Sequence, residues 1–153
     1  MKIGDYFSSH DIIPQLASTT KEEVLEELTE KLVESHQGLD RNEVLSVLLE
    51  RELLGSTGIG GGIAIPHAKL RHVGDPIVVF GRSTTGISYD ALDGKPVNLF
   101  FLLVADMNSV DRYLKLLARI SRLLKDRALR GRLMEETKVD TLYDLIQEQD
   151  TML

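Results

Sequence analysis

The sequence predicts a single α/β domain in which helices pack on a small sheet. Three observations carry that prediction. Helical stripes occupy both ends of the chain, two strand-like runs lie between them, and the second run, "PVNLFFLLV", is apolar almost throughout. Such a run suits a central strand buried on both faces. At 153 residues, 42% hydrophobic and 27% charged, the chain can bury a core without disulfides or metal. No internal repeat or low-complexity linker divides it, so one domain over residues 1–153 is expected.

In "STTKEEVLEELTEKLVESHQG", Val24, Leu25, Leu28, Leu32 and Val33 form a helical stripe, with Thr20 and Glu23 as a capping box and Gly38 beyond the end. Asp40 and Glu43 open a second helix at the same offset, and Val44, Leu45, Leu48 and Leu49 carry it to about Leu54. Gly55 stops it. Next comes "GSTGIGGGIAIPHAKL", with five glycines in its first eight residues. Pro66 fixes its own φ and pushes Ile65 toward an extended backbone, so "IAIPH" is expected to present His67 from the end of a strand-like segment. "PIVVFGRS" and "PVNLFFLLV" are the two strands, and "TTGISYDALDGKP" between them reads as a turn-rich excursion. From Ser109 the pattern is helical again, in "SVDRYLKLLARISRLLKD", "RALRGRLMEET" and "VDTLYDLIQEQ".

A formal charge of −6 argues against a nucleic-acid footprint, which needs surplus basic residues. No segment approaches the ~20 apolar residues of a membrane span, and "MKIGDYFSSHDIIP" has no secretory h-region. The absence of cysteine removes disulfides, thiolate metal sites and thiol nucleophiles, and fits a cytoplasmic protein. The glycine loop is not a P-loop, because the one Gly-Lys pair, Gly94-Lys95, is followed by Pro96. Nor is it a dinucleotide fingerprint, since Gly58 and Gly60 would require glycine where Ile63 stands. His72 lies five residues from His67 without a carboxylate cluster, and Ser56 lacks a G-x-S-x-G elbow; no metal site and no serine hydrolase are expected. What remains is a Cβ-free segment that admits a backbone or a bulky anion, or else a plain glycine-rich turn. His67 is correspondingly a reactive group or a structural histidine. His10 and His36 are expected to be solvated, and Arg112, Lys115, Arg119, Arg122 and Lys125 to form a solvated face or a docking patch.

"RELLGSTGIGGGIAIPHAKL", followed by "GISYDALDGKPVNLFFLLV" and "LKLLARISRLLKD", resembles the enzyme IIA domain of the fructose, mannitol and nitrogen branches of the bacterial phosphoenolpyruvate-dependent phosphotransferase system. The resemblance covers essentially the whole chain in order. It implies a small mixed β-sheet flanked by α-helices, a cytoplasmic location, and a phosphoryl-accepting histidine in the IPH segment, here His67. The implied donor is the phosphohistidine of an HPr-type carrier; the implied recipient is a IIB component, or a regulatory target that reads the phosphorylation state. Neither a cofactor nor membrane insertion is implied.

The residues suit that chemistry. An imidazole with an ordinary pKa of about 6.5 is largely neutral near pH 7 and needs no separate base to act as a nucleophile. In-line phosphoryl transfer asks for positioning and for donors to the equatorial oxygens. The loop amides of Gly61 and Gly62, the hydroxyls of Ser56 and Thr57, and a guanidinium are candidates. Arg51 matches the arginine of the family's "RExxGST" segment, or is an exposed helix arginine beside Glu50 and Glu52. Two departures stand out. Family members commonly carry a second histidine near the start of the helix after the central strand, where this chain has Tyr113, whose hydroxyl can donate a hydrogen bond but is no cation at neutral pH. Many relatives have asparagine where this chain has Gly61.

Three functions are compatible with these features. The favoured one is a nitrogen-branch regulatory IIA protein, since no IIB or IIC segment follows the last helix before Leu153. The second is a fructose/mannitol-type transport IIA that passes its phosphoryl group to IIB. The third, raised by Tyr113, is an interaction module that is never phosphorylated.

Overall fold

The computed structural model describes residues 1–153. Two single-turn 3-10 segments, Ile3–Asp5 and Ser9–Asp11, lead into β1 (Ile12–Ile13). Helices α1 (Lys21–Ser35) and α2 (Arg41–Leu53) follow, then three short strands, β2 (Gly58–Gly60), β3 (Ile63–Ala64) and β4 (His67–Leu70). Two long strands, β5 (Ile77–Ile87) and β6 (Val97–Asp106), precede α3 (Val110–Leu123), α4 (Arg127–Glu135) and α5 (Val139–Thr151).

The sheet runs β1-β5-β6-β3-β2, with β4 also paired to β6. β5 and β6 are antiparallel, as are β2 and β3, whereas β1 is parallel to β5, and β3 and β4 are parallel to β6. It is therefore mixed, and β6 is its spine. The nearly continuous apolar run of β6 is explained by the layer on each side. Leu99, Phe101, Leu103 and Ala105 point into one core with α3, α4 and α5, while Phe100, Leu102 and Val104 point into a second core with α1 and α2. All seven are buried.

The sequence-predicted helices form with their caps. Thr20 accepts from the Glu23 amide, and Glu23 returns the bond to the Thr20 amide. Asp40 caps α2 through the Asn42 amide at 2.9 Å, but Glu43 does not return a bond to complete the box that its offset suggests.

Four expectations require correction. The excursion after "PIVVFGRS" begins later than predicted, because β5 continues to Ile87 and curves through an irregular register beyond Arg82. The glycine loop and "IAIPH" contain three separate strands rather than one strand-like segment. His36 is not simply solvated: its Nε2 lies 2.9 Å from the buried carboxylate of Asp11, tying the end of α1 to the N-terminal segment. The basic stripe of α3 is only partly free, since Arg119 reaches the buried Asp150 at 2.5 Å and Arg112 pairs with Asp75 at 2.8 Å.

Candidate functional site

His67 is the first residue of β4, where parallel pairing sets it opposite Leu103. The preceding Pro66 has no amide to donate, but its carbonyl accepts from the Leu103 amide at 3.0 Å, so the turn into β4 is fastened to the central strand. Nδ1 of His67 lies 2.6 Å from the Ile65 carbonyl oxygen. A carbonyl can only accept, so Nδ1 carries the ring proton and Nε2 keeps a free lone pair. Arg51, in the last turn of α2, donates its Nε–H to that Nε2 across 3.3 Å and its Nη1–H to the Gly55 carbonyl at 2.8 Å.

Both sides of the imidazole are built. The Tyr113 ring, from the first turns of α3, stands 5.8 Å from the His67 ring, centroid to centroid. Val47, Glu50, Arg51, Leu54, Lys69 and Met107 complete an open cleft of about 380 Å3 around His67 and Tyr113. Burial lowers the pKa of the imidazole, opposed by the Ile65 hydrogen bond and reinforced by the positive charge of Arg51. At neutral pH the ring is an uncharged nucleophile with its lone pair on Nε2. Burial raises the Tyr113 pKa, which keeps its hydroxyl a donor.

Beneath the imidazole, Glu52 organises the turn that the glycines permit. Its side chain is 5% exposed, pairs with Lys21 at 3.0 Å, and accepts hydrogen bonds from the Thr57 amide at 3.1 Å and from the Thr57 hydroxyl. The Tyr89 hydroxyl then donates to Thr57 Oγ1 at 3.0 Å, and burial first, with the nearby Glu52 charge second, keeps that phenol protonated. The Thr57 carbonyl accepts from the Ile65 amide at 3.1 Å. The chain of contacts from Lys21 to Glu52, Thr57 and Ile65 therefore ends on the residue that orients His67. Gly58 is required by packing, because a Cβ there would come within 2.8 Å of Ala91 Cβ and 2.9 Å of its Cα.

The other sequence-predicted phosphate ligands are placed differently. The Thr57 hydroxyl is buried and committed, while that of Ser56 accepts from the Gly58 amide at 3.0 Å and turns toward the Tyr89 carbonyl. Gly61 gives its amide to Asp93 at 3.1 Å. Ile63 pairs with Leu99 and His67 with Leu103, so the hairpin holding Gly61 and Gly62 lies about 13 Å or more along β6 from the imidazole. His67, Arg51 and Tyr113 converge; Gly61 and Gly62 do not join them. Sequence reasoning missed Glu52 and Lys69. Glu52 precedes Thr57 by five residues in "RELLGST", a spacing that acquires meaning only with the turn.

Residues 5–149 match the protein family described as "Phosphoenolpyruvate-dependent sugar phosphotransferase system, EIIA 2". The chain belongs to that EIIA 2 family. It is 38% identical over 150 residues to the fructose-specific EIIABC component of Bacillus subtilis, covering 98% of this chain and 24% of that one, so it spans about a quarter of that relative's length. It is 37% identical over 146 residues to a nitrogen regulatory protein of Bradyrhizobium diazoefficiens, covering 95% of each chain. The crystal structure of the nitrogen regulatory protein IIA-Ntr from Neisseria meningitidis superposes with a TM-score of 0.87 at 30% identity, covering 94% of this chain and 98% of that one. Membership of the EIIA 2 family makes the chain a component of a phosphotransferase system, and its mixed sheet flanked by helices is the fold of the IIA-Ntr structure. No helix is long and apolar enough to cross a membrane.

Proposed function

We propose that His67 accepts a phosphoryl group on Nε2 from the phosphohistidine of an HPr-type carrier, and that the protein works in the cytoplasm as a nitrogen-branch regulatory IIA. The observation that carries this reading is the Nδ1–H bond to the Ile65 carbonyl, which leaves Nε2 unprotonated on a ring that lines the cleft. In the transfer, the Nε2 lone pair attacks phosphorus as the donor's P–N bond breaks. The released electron pair returns to the donor nitrogen, and a donor ring protonated on its other nitrogen leaves as neutral imidazole. Arg51 withdraws its Nε–H from Nε2 and gives it to a phosphoryl oxygen, with its Nη1 still anchored on Gly55. Tyr113 closes the other side and supplies its hydroxyl.

The rim of the cleft supports a protein donor over a small molecule. Leu54, 85% exposed, and Met107, about half exposed, both line the opening. Support for the nitrogen branch comes from the likeness to two proteins named as nitrogen regulatory, one over 95% of each chain and one with a TM-score of 0.87. The likeness to a fructose-specific component favours the second reading, a transport IIA that passes the group to IIB.

Phosphorylation adds roughly −1.5 to −2 charges at one small opening, enough for a protein target to discriminate the two forms. The test phosphorylates the protein through an HPr-type carrier and then adds a fructose- or mannitol-type IIB component. Retention of the phosphoryl group on His67, with a target that binds the two forms unequally, supports regulation. Rapid transfer to IIB establishes the transport reading instead.

A further inference from the structure

A phosphoryl group on Nε2 places nearly two negative charges beside a single guanidinium. Arg51 has already spent Nη1 on the Gly55 carbonyl. Glu50 lines the same cleft, adding a negative charge, and the other nearby cation, Lys21, is bound to Glu52. The ring that keeps its Nδ1 proton offsets one of these charges, and against the phosphoryl group and Glu50 together a further positive charge at the cleft is stabilising.

Lys69 is the cation placed to supply it. It is two residues beyond His67 in β4, so the alternation of the strand puts both side chains on one face. It is exposed, lines the cleft and takes part in none of the ion pairs of the chain. Its Nζ stands 5.5 Å from the centroid of the Tyr113 ring, and that ring stands 5.8 Å from His67. A protonated amine at that distance is attracted to the electron-rich ring. The aromatic ring thus holds a mobile four-carbon side chain at the mouth of the site.

We propose that Lys69 is a phosphoryl-binding residue, held over the Tyr113 ring and neutralising the phosphoryl group on His67 together with Arg51. This rests on His67 being the acceptor. The Tyr113 ring is a positioning group for Lys69, apart from anything its hydroxyl does. The charge of Lys69 already acts on the imidazole in the unphosphorylated protein, where it helps to lower the His67 pKa.

The test is the equilibrium constant for phosphoryl exchange between an HPr-type carrier and this protein, read by intact mass at several carrier ratios. Only free species enter that constant, so a change in docking affinity does not move it. Lys69→Met is expected to lower it about tenfold at low salt, and Lys69→Arg to restore most of it. Tyr113→Leu is expected to lower it several-fold, and by more than Tyr113→Phe, which keeps the ring under Lys69 and loses only the hydroxyl. In the double variant Lys69→Met/Tyr113→Leu the losses should not add. An adduct on His67 with the same constant in wild type and Lys69→Met overturns the role of Lys69 alone. No adduct on the wild-type protein, while the carrier is fully phosphorylated, overturns the acceptor reading and this inference with it.

Discussion

The Arg51 Nε–H group points at the unprotonated Nε2 of His67 across 3.3 Å. The helix that ends at the glycine loop therefore supplies a donor to the same nitrogen that the Ile65 carbonyl leaves bare. Arginine suits this position because one planar group reaches both His67 and the Gly55 carbonyl, and lysine cannot make both contacts. Arg51→Lys should slow phosphorylation of His67 by roughly 10- to 100-fold with unchanged far-UV circular dichroism. Stopped transfer assays against a phosphorylated carrier measure the rate, and a rate within twofold of wild type would remove Arg51 from the phosphoryl site.

The tautomer is itself observable. At neutral pH the His67 nitrogen spectrum should show Nδ1 as the protonated, pyrrole-type nitrogen and Nε2 as the pyridine-type one. On phosphorylation the coupling to phosphorus should appear on Nε2. A phosphoryl group on Nδ1 would show that the Ile65 bond breaks during transfer.

The pH dependence follows from the burial that lowers the His67 pKa. Between that lowered value and the ordinary value near 6.5, the unfolded chain binds a proton that the folded chain refuses. His67 therefore costs stability at acid pH, and the cost disappears as pH rises through that window. In the same window the folded imidazole stays neutral and reactive. The phosphorylation rate should hold constant from pH 8 to below 6.5, and the contribution of His67 to acid lability should vanish in His67→Ala. A rate that halves at pH 6.5, with the carrier saturating, would mean that the imidazole titrates as a free histidine.

Glu52 holds the turn under the site. Glu52→Ala leaves the buried Thr57 amide and hydroxyl without their acceptor and Lys21 without its partner. A loss of about 2–3 kcal/mol in unfolding free energy is expected, with slower phosphorylation because the Thr57–Ile65 contact loosens. Urea denaturation gives the first quantity. A loss below 0.5 kcal/mol would show that water replaces the carboxylate at no cost.

Gly58 and Gly61 should behave oppositely. Gly58→Ala drives a Cβ against the Ala91 backbone and should cost about 1–3 kcal/mol. Gly61 has φ of +66° in an open place, a conformation that asparagine tolerates. Gly61→Asn should leave both stability and the His67 phosphorylation rate near wild type, because the hairpin lies far along β6 from the imidazole. A changed transfer rate would place the hairpin in contact with the phosphoryl group or its donor.

The parts of the fold that were legible in the sequence are those encoded locally. The box of Thr20 and Glu23, the stripes of α1 and α3 and the apolar run of β6 each announce themselves within a few turns or a single strand. The strands β2, β3 and β4 do not, because each has only two to four residues and takes its pairing from β6 or from a strand neighbour. The same division runs through the site. His67 and Arg51 are marked by the glycine loop and proline that place them, whereas Lys69 gains its meaning from a ring on a helix distant in the chain. The hydroxyl of Thr57 looks available in the sequence for a related reason, since the Glu52 and Tyr89 groups that occupy it are brought to it only by the turn and the fold. His36 and Arg119 look solvated by position on their helices, but their partners Asp11 and Asp150 come from the opposite ends of the chain.

The most direct measurement is intact mass at neutral pH after incubating the wild-type protein and His67→Ala with phosphoenolpyruvate, enzyme I and an HPr-type carrier. One phosphoryl adduct is expected on the wild-type protein, lost on acid treatment and missing from His67→Ala, with both proteins equally folded. An adduct that survives in His67→Ala, or none on the wild-type protein while the carrier is phosphorylated, would contradict the assignment of His67 as the acceptor.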